Sequence, residues 1–159
     1  MPRATAWFIA ATAVAALDQL TKWLLQSSFA PGQRQAVLPF FDLVLVFNKG
    51  AAFSFLANAP GWQTPVFIGI AALAVAIVSW MLVREPGKKL LCAGLALILG
   101  GAIGNVVDRV AYGHVVDFIL LHAGGWHFPA FNVADSAITV GAGIVILDGF
   151  LHKDAPNET

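Results

Sequence analysis

The stretch PVFIGIAALAVAIVSWMLV, residues 65–83, decides the fold class because it contains no charged side chain. A helix needs about 20 largely apolar residues to cross the hydrocarbon core of a membrane, so this stretch predicts a spanning helix. Across all 159 residues, 58% are hydrophobic and 11% are charged, and the mean hydropathy is +0.78. Soluble domains carry about 25% charged residues. We therefore expect one membrane domain covering residues 1–159.

Three further stretches, on both sides of residues 65–83, have the composition of spanning helices. They lie at about residues 6–25, 90–109 and 133–151. The first could imitate a cleaved signal peptide, but its apolar pattern continues past Asp18, which favours a retained helix. The sequence therefore predicts an all-α membrane protein with four transmembrane helices.

Basic residues predict the orientation of these helices, because Lys and Arg concentrate on the cytoplasmic side. Arg84, Lys88 and Lys89 lie in the short link between the second and third helices, Arg3 precedes the first helix, and Lys153 follows the fourth. Four crossings bring all of them to one side. Both termini are therefore predicted to be cytoplasmic.

The two remaining connections, about residues 26–64 and 110–132, should then face outward. Residues 36–56 are rich in Val, Phe and Leu and contain the turn sequence NKG, which predicts strands near 37–47 and 51–56. An interfacial helix or loop is the alternative. Residues 110–132 are predicted to be an outer loop, flexible at 122–128. The predicted fold therefore also includes a small β element, which forms a cradle on the membrane surface.

Ionisable groups within apolar helices are costly and need an explanation. Asp18 and Lys22 are four residues apart, so they share a helix face and can form an ion pair. The simplest interpretation is a structural pair that braces a nearby site. Gly100 and Gly104 have the spacing that allows close packing of helices.

The end of the third helix carries Asn105, Asp108 and Arg109 on one face. One interpretation is functional. The other is a network at the helix end, in which Arg109 interacts with the helix dipole and Asp108 is its counter-ion.

Asp135 stands where the fourth helix begins, and Asn132 precedes it at the spacing of a reciprocal N-cap. Capping explains Asp135, although Asn132 could cap alone and leave Asp135 for a substrate. Asp117 has no such explanation, since it lies in the apolar run VVDFILL. Two carboxyl groups in contact share a proton and can together activate water against an amide. The sequence alone leaves open whether these two meet.

Other chemistries find less support in the sequence. A metal site could be imagined from histidines and one acid, although their spacing matches no metal motif: His114, Asp117, His122 and His127. The single cysteine, Cys92, lies in an apolar stretch and is predicted to be a core residue. The formal net charge of zero argues against a nucleic-acid partner.

Five separate motifs resemble the lipoprotein signal peptidases, also called prolipoprotein signal peptidases or signal peptidase II. In chain order they are DQLTK (18–22), NKGAAF (48–53), GNVVDR (104–109), VVDF (115–118) and FNVAD (131–135). Each motif is weak alone. Five in the family's order, on a chain with four predicted spans, are highly specific.

The resemblance implies an aspartic endopeptidase of the bacterial inner membrane, without a cofactor or metal. It would cleave prolipoproteins just before a diacylglyceryl-modified Cys, with Asp117 and Asp135 as catalytic acids. Membrane lipids and globomycin-type cyclic inhibitors would be further partners. The residues that would bind substrate or support the site are Asp18, Lys22, Asn48, Gly50, Asn105, Asp108, Arg109, Asn132 and Ala134. The alternatives are a non-enzymatic membrane protein, such as a transporter subunit or lipid-binding scaffold, and a lipid-modifying transferase.

Overall fold

The computed structural model describes residues 2–50 and 62–151, and four long helices dominate it. These are α1 (Pro2–Ser28), α2 (Gln63–Arg84), α3 (Lys89–Tyr112) and α4 (Val133–Leu151). All four are long and apolar enough to cross a membrane. The four predicted spans are confirmed. α4 has the predicted bounds, whereas α1, α2 and α3 extend one to four residues further at their ends.

The helix α3 lies at the centre of the bundle and packs against each of the other three. Within the spans, 56% of α3 is buried but only 11% of α2, so α2 presents most of its apolar surface to lipid. The buried core around α3 includes Leu82 of α2 and Ala11 of α1. Cys92 belongs to this core, as predicted.

Glycines let α1 and α4 approach α3 at backbone distance. A Cβ on Gly104 would lie 2.5 Å from the Oδ2 atom of Asp18, and one on Gly100 would lie 2.7 Å from the Cβ of Val14. The predicted close packing at Gly100 and Gly104 is therefore confirmed. This contact brings the polar face of α1 against the polar end of α3.

A four-stranded antiparallel sheet, in the order β1-β2-β3-β4, lies beside the helix bundle. Its strands are β1 (Arg34–Leu38), β2 (Phe41–Asn48), β3 (Val115–Ala123) and β4 (Trp126–His127). The predicted β element is confirmed, but the single strand expected near 37–47 is wrong. It is a hairpin, because the chain turns at residues 39 and 40. The strand predicted near 51–56 falls outside the described residues.

The prediction of an outer loop over residues 110–132 is also wrong in part, because β3 and β4 lie within it. Gly124 and Gly125 both have positive φ angles, of 57° and 86°. Two such residues form the tight turn that matches the twist of a β-hairpin. The segment 122–128, predicted to be a flexible loop, thus contains the end of β3, the two-glycine turn and β4.

Candidate active site

Asp117 lies in the middle of the sheet, on β3, and is 2% exposed. Its Oδ2 atom accepts a hydrogen bond of 3.0 Å from the Nδ2 of Asn48, the last residue of β2. Its Oδ1 atom accepts one of 2.8 Å from the Nδ2 of Asn132. Both carboxyl oxygens therefore face amide donors that come from different parts of the chain.

Asp135 occupies the first turn of α4. Its backbone N–H donates to the Oδ1 of Asn132 at 2.8 Å, so Asn132 caps the helix as predicted. The reciprocal half of the cap is not formed. Instead, the Oδ1 of Asp135 accepts a hydrogen bond of 2.7 Å from the Nδ2 of Asn105 on α3. Capping thus explains Asn132, and the carboxylate of Asp135 is left for another role.

Asn132 connects the two acids and is fully buried. Its Oδ1 fixes the backbone of Asp135, and its Nδ2 donates to Asp117 and also lies 3.3 Å from the Oδ1 of Asn105. The chain therefore brings β3 and the start of α4 together at one side chain.

The environment of Asp117 raises its pKa to about 7. Burial is the largest cause, and the negative charge of Asp135 is the second. The hydrogen bonds from Asn48 and Asn132 act in the opposite direction because they favour the ionised form. Near neutral pH, Asp117 is therefore divided between its protonated and ionised forms.

A buried ionic cluster lies next to the two acids. The Nζ of Lys22 contacts the Oδ2 atoms of Asp18 and Asp108, both at 2.8 Å, and all three side chains are 1% exposed or less. The predicted pair between Asp18 and Lys22 is confirmed. Asp18 also accepts a hydrogen bond from the N–H of Ala134, and Asp108 accepts one from the N–H of Val116. One cluster thus fixes α1, α3, β3 and α4 relative to each other.

Of the two interpretations left open for this helix end, the one in which Asp108 is the counter-ion of Arg109 is wrong. Because α1 packs closely on α3, Lys22 reaches Asp108 instead. Arg109 is directed elsewhere: its guanidinium donates to the backbone oxygens of Gly50, at 3.2 Å, and Asn105, at 3.4 Å. Gly50 in turn donates its N–H to the Oδ1 of Asn48 at 2.9 Å. Arg109 and Gly50 therefore hold the end of β2, and with it Asn48, beside Asp117.

Gln19 belongs to this network and was not predicted. Its Nε2 donates to the Oδ1 of Asp108 at 2.8 Å and to the backbone oxygen of Gly104 at 3.1 Å. The available signal was its position three residues before Lys22, on the same face of a helix.

The alternative metal site is not formed. Its four residues are dispersed: His122 lies 3.2 Å from Asp42 and stacks on His127, whereas His114 packs against other aromatic rings. Within residues 2–50 and 62–151, no three residues of the types His, Cys, Asp and Glu are grouped as metal ligands.

The sequence profile of the family described as Signal peptidase (SPase) II matches residues 10–151. The chain belongs to the signal peptidase II family. It is 52% identical over 142 residues to a lipoprotein signal peptidase of Paraburkholderia phymatum, covering 89% of this chain and 86% of that protein. It is 54% identical to one of Cupriavidus taiwanensis, covering 89% and 81%.

Two solved structures, each described as a bacterial membrane enzyme, share the fold of this signal peptidase II. One has a TM-score of 0.85 at 27% identity and covers 98% of this chain and 93% of its own. The other has a TM-score of 0.80 at 29% identity and covers 95% of each. The resemblance seen in the sequence is therefore confirmed. The protein is a multi-pass membrane peptidase, which does not favour the transporter or scaffold alternative.

Proposed function

We propose that this signal peptidase II hydrolyses the peptide bond immediately before the diacylglyceryl-modified Cys of prolipoproteins, with Asp117 and Asp135 as its catalytic pair. The names of its relatives support the substrate class. The observation that carries the catalytic assignment is Asn132, whose buried amide hydrogen-bonds to Asp117 and to the backbone of Asp135. Two acids coupled in this way can titrate as one unit.

The reaction begins with Asp117 protonated and Asp135 ionised. Asp135 takes a proton from a water molecule as its oxygen attacks the carbonyl carbon, and Asp117 gives its proton to the carbonyl oxygen. The resulting diol then collapses. Asp135 passes its proton to the leaving amine, the C–N bond breaks, and Asp117 recovers a proton from the diol hydroxyl. The raised pKa of Asp117, about 7, supports its role as the proton donor.

The surroundings of the pair suit a lipid-bearing substrate. Asp135 begins a spanning helix, and Asn105 lies in the last two turns of another. A cleavage point at this depth leaves the diacyl chains among apolar helix faces. Binding energy from the chains, distant from the bond, would then position it. Globomycin-type cyclic peptides would compete for the same site.

The orientation follows from the distribution of charges. The pair lies towards the C-terminal end of α3, opposite the basic link 84–89 at its N-terminal end. With that link cytoplasmic, both termini are cytoplasmic and the active site faces the periplasm of a bacterium, across its inner membrane.

The test is cleavage of a purified lipidated substrate and its unlipidated counterpart. Asp117→Asn and Asp135→Asn should abolish cleavage while the protein remains folded, and a chelator should have no effect. The matched control is Asp42→Asn, which alters a buried acid of the same sheet away from the pair and should leave cleavage measurable. Activity that survives in either active-site variant, or that requires an added metal, would contradict the assignment.

A further inference from the structure

We propose that Lys22 is a positioning residue for the catalytic pair, acting through the side-chain amide of Asn105. This inference rests on the proposed function and assigns the buried cluster a role beyond bracing the helices. Its basis is a series of two hydrogen bonds that runs from Lys22 on α1, through Asn105 on α3, to Asp135 on α4.

Lys22 fixes which way the amide of Asn105 points. The Nζ of Lys22 donates to the Oδ1 of Asn105 at 3.1 Å. An ammonium group has only donors, so it selects the oxygen end of the amide. The nitrogen end must then face Asp135, where the Nδ2 of Asn105 donates to the Oδ1 at 2.7 Å. A flipped amide would place two oxygens against each other at Asp135 and two donors against each other at Lys22.

The same amide also reaches the other acid. The Oδ1 of Asn105 lies 3.3 Å from the Nδ2 of Asn132, which donates to Asp117 at 2.8 Å. The orientation set by Lys22 therefore suits both carboxyl groups. Within the described residues, Lys22 is the only charged side chain that donates to the side-chain amide of Asn105, so its loss would remove the charged donor that selects this orientation.

Lys22 does not act by direct pairing with the catalytic acids. Its ion pairs are with Asp18 and Asp108, and its charge has a smaller effect on the pKa of Asp117 than burial, Asp135 or the two amide hydrogen bonds. Arg109, also on α3, is a further charged group that interacts electrostatically with both acids. The contact with Asn105 is thus the direct route from Lys22 to the pair.

The test uses a variant that removes Lys22 without changing the net charge of the cluster. Lys22→Met alone leaves two buried acids without their cation and risks misfolding. The double variant Lys22→Met/Asp18→Asn keeps the cluster at its native net charge, because one positive and one negative charge are removed together. Its Asn oxygen can still accept the N–H of Ala134, which Asp18 accepts in the native protein.

We expect this double variant to cleave the lipidated substrate on the order of 10²-fold more slowly, as misplacement of a catalytic group does. The acidic limb of its kcat/KM, measured as a function of pH, should move to higher pH by about one unit. The reason is that the ionised pair has lost the oriented hydrogen-bond donor that Asn105 supplies. In an Asn105→Ala background, the same double change should cause no further loss and no further movement of the limb.

The control is Leu82→Ala, which opens the buried helix core and should lower the melting temperature without moving either limb. A uniform loss of rate with unmoved limbs in the double variant would overturn the proposal, and so would losses that multiply in the Asn105→Ala background. If the double variant does not fold, the single variant Asn105→Ala tests the proposal, because Lys22, Asp18 and Asp108 stay native in it. An acidic limb that Asn105→Ala does not move would then overturn the proposal. Native protein that does not cleave the substrate would instead refute the proposed function.

Discussion

Replacing Asn48 with Ala is expected to raise the pKa of Asp117 by about one to two units. The Nδ2 of Asn48 donates to the Oδ2 of Asp117 at 3.0 Å, and a hydrogen bond to a charged acceptor contributes about 1.5–3 kcal/mol. Since one pKa unit corresponds to about 1.4 kcal/mol, the shift follows directly. The sign is upward, because this bond favours the ionised form of Asp117 and opposes the two causes that raise its pKa to about 7.

The assay is kcat/KM for the lipidated substrate as a function of pH. In the proposed reaction Asp117 must hold a proton, so the basic limb should move from near pH 7 to about pH 8–9. Because Asn48 also accepts the N–H of Gly50, the control is Gln33→Ala. That change removes a comparable side-chain acceptor for the N–H of Ala30, before β1, and should leave the limb in place. An Asn48→Ala limb that is unmoved, or that moves to lower pH, would refute the reasoning.

Three further predictions concern stability, measured as reversible unfolding in mixed micelles. The free energy of unfolding should fall by about 3 kcal/mol as the pH rises from about 4 to 7, because folded Asp117 keeps its proton up to a pKa of about 7 whereas the unfolded chain loses it near 3.8. An Asp117→Asn variant that keeps this slope would contradict the prediction. Burial would raise the pKa of Asp42, but hydrogen bonds from the adjacent arginine and histidine outweigh burial and lower the pKa. The stability due to Asp42 should therefore be present above pH 3.8 and disappear as the pH falls through the lower folded pKa, a loss that Asp42→Asn should not show. Gly141→Ala should destabilise the bundle, because its Cβ would lie 2.6 Å from a carbonyl oxygen of α3, whereas Gly143→Ala meets nothing within 4 Å and should be neutral.

The helices were predictable because a spanning helix is a local property of the sequence. About 20 apolar residues in a row leave the backbone no other way to satisfy its hydrogen bonds in lipid. The strands were harder to predict. β3 contains the apolar run VVDFILL, but it pairs with β2, about 70 residues earlier, with Val46 opposite Asp117. Because that partner is distant in the chain, neither the pairing nor the register could be read from β3 alone.

The site residues were predictable as types, but only partners within one helix could be predicted as well. Helical spacing found the pair of Asp18 and Lys22, which lie four residues apart on one helix. One of the two interpretations of the end of the third helix paired Asp108 with its neighbour Arg109, whereas in the structure Asp108 pairs with Lys22. That contact depends on α1 lying against Gly104, where any larger side chain would collide with Asp18. Packing between helices, which no spacing rule contains, therefore decides the pairing.

Within the described part of the chain, amides, and not cations, donate side-chain hydrogen bonds to the two acids of the site, and this choice has a chemical reason. The carboxyl groups of Asp117 and Asp135 accept side-chain hydrogen bonds from the amides of Asn48, Asn132 and Asn105. An amide donates a hydrogen bond without titrating, whereas a cation within about 4–6 Å would lower the pKa of an acid by about 1–3 units. A lysine in direct contact would therefore hold Asp117 ionised at neutral pH and remove the proton that the proposed reaction needs. Amides around the proposed catalytic pair orient both acids and would still let a proton pass between them and the substrate.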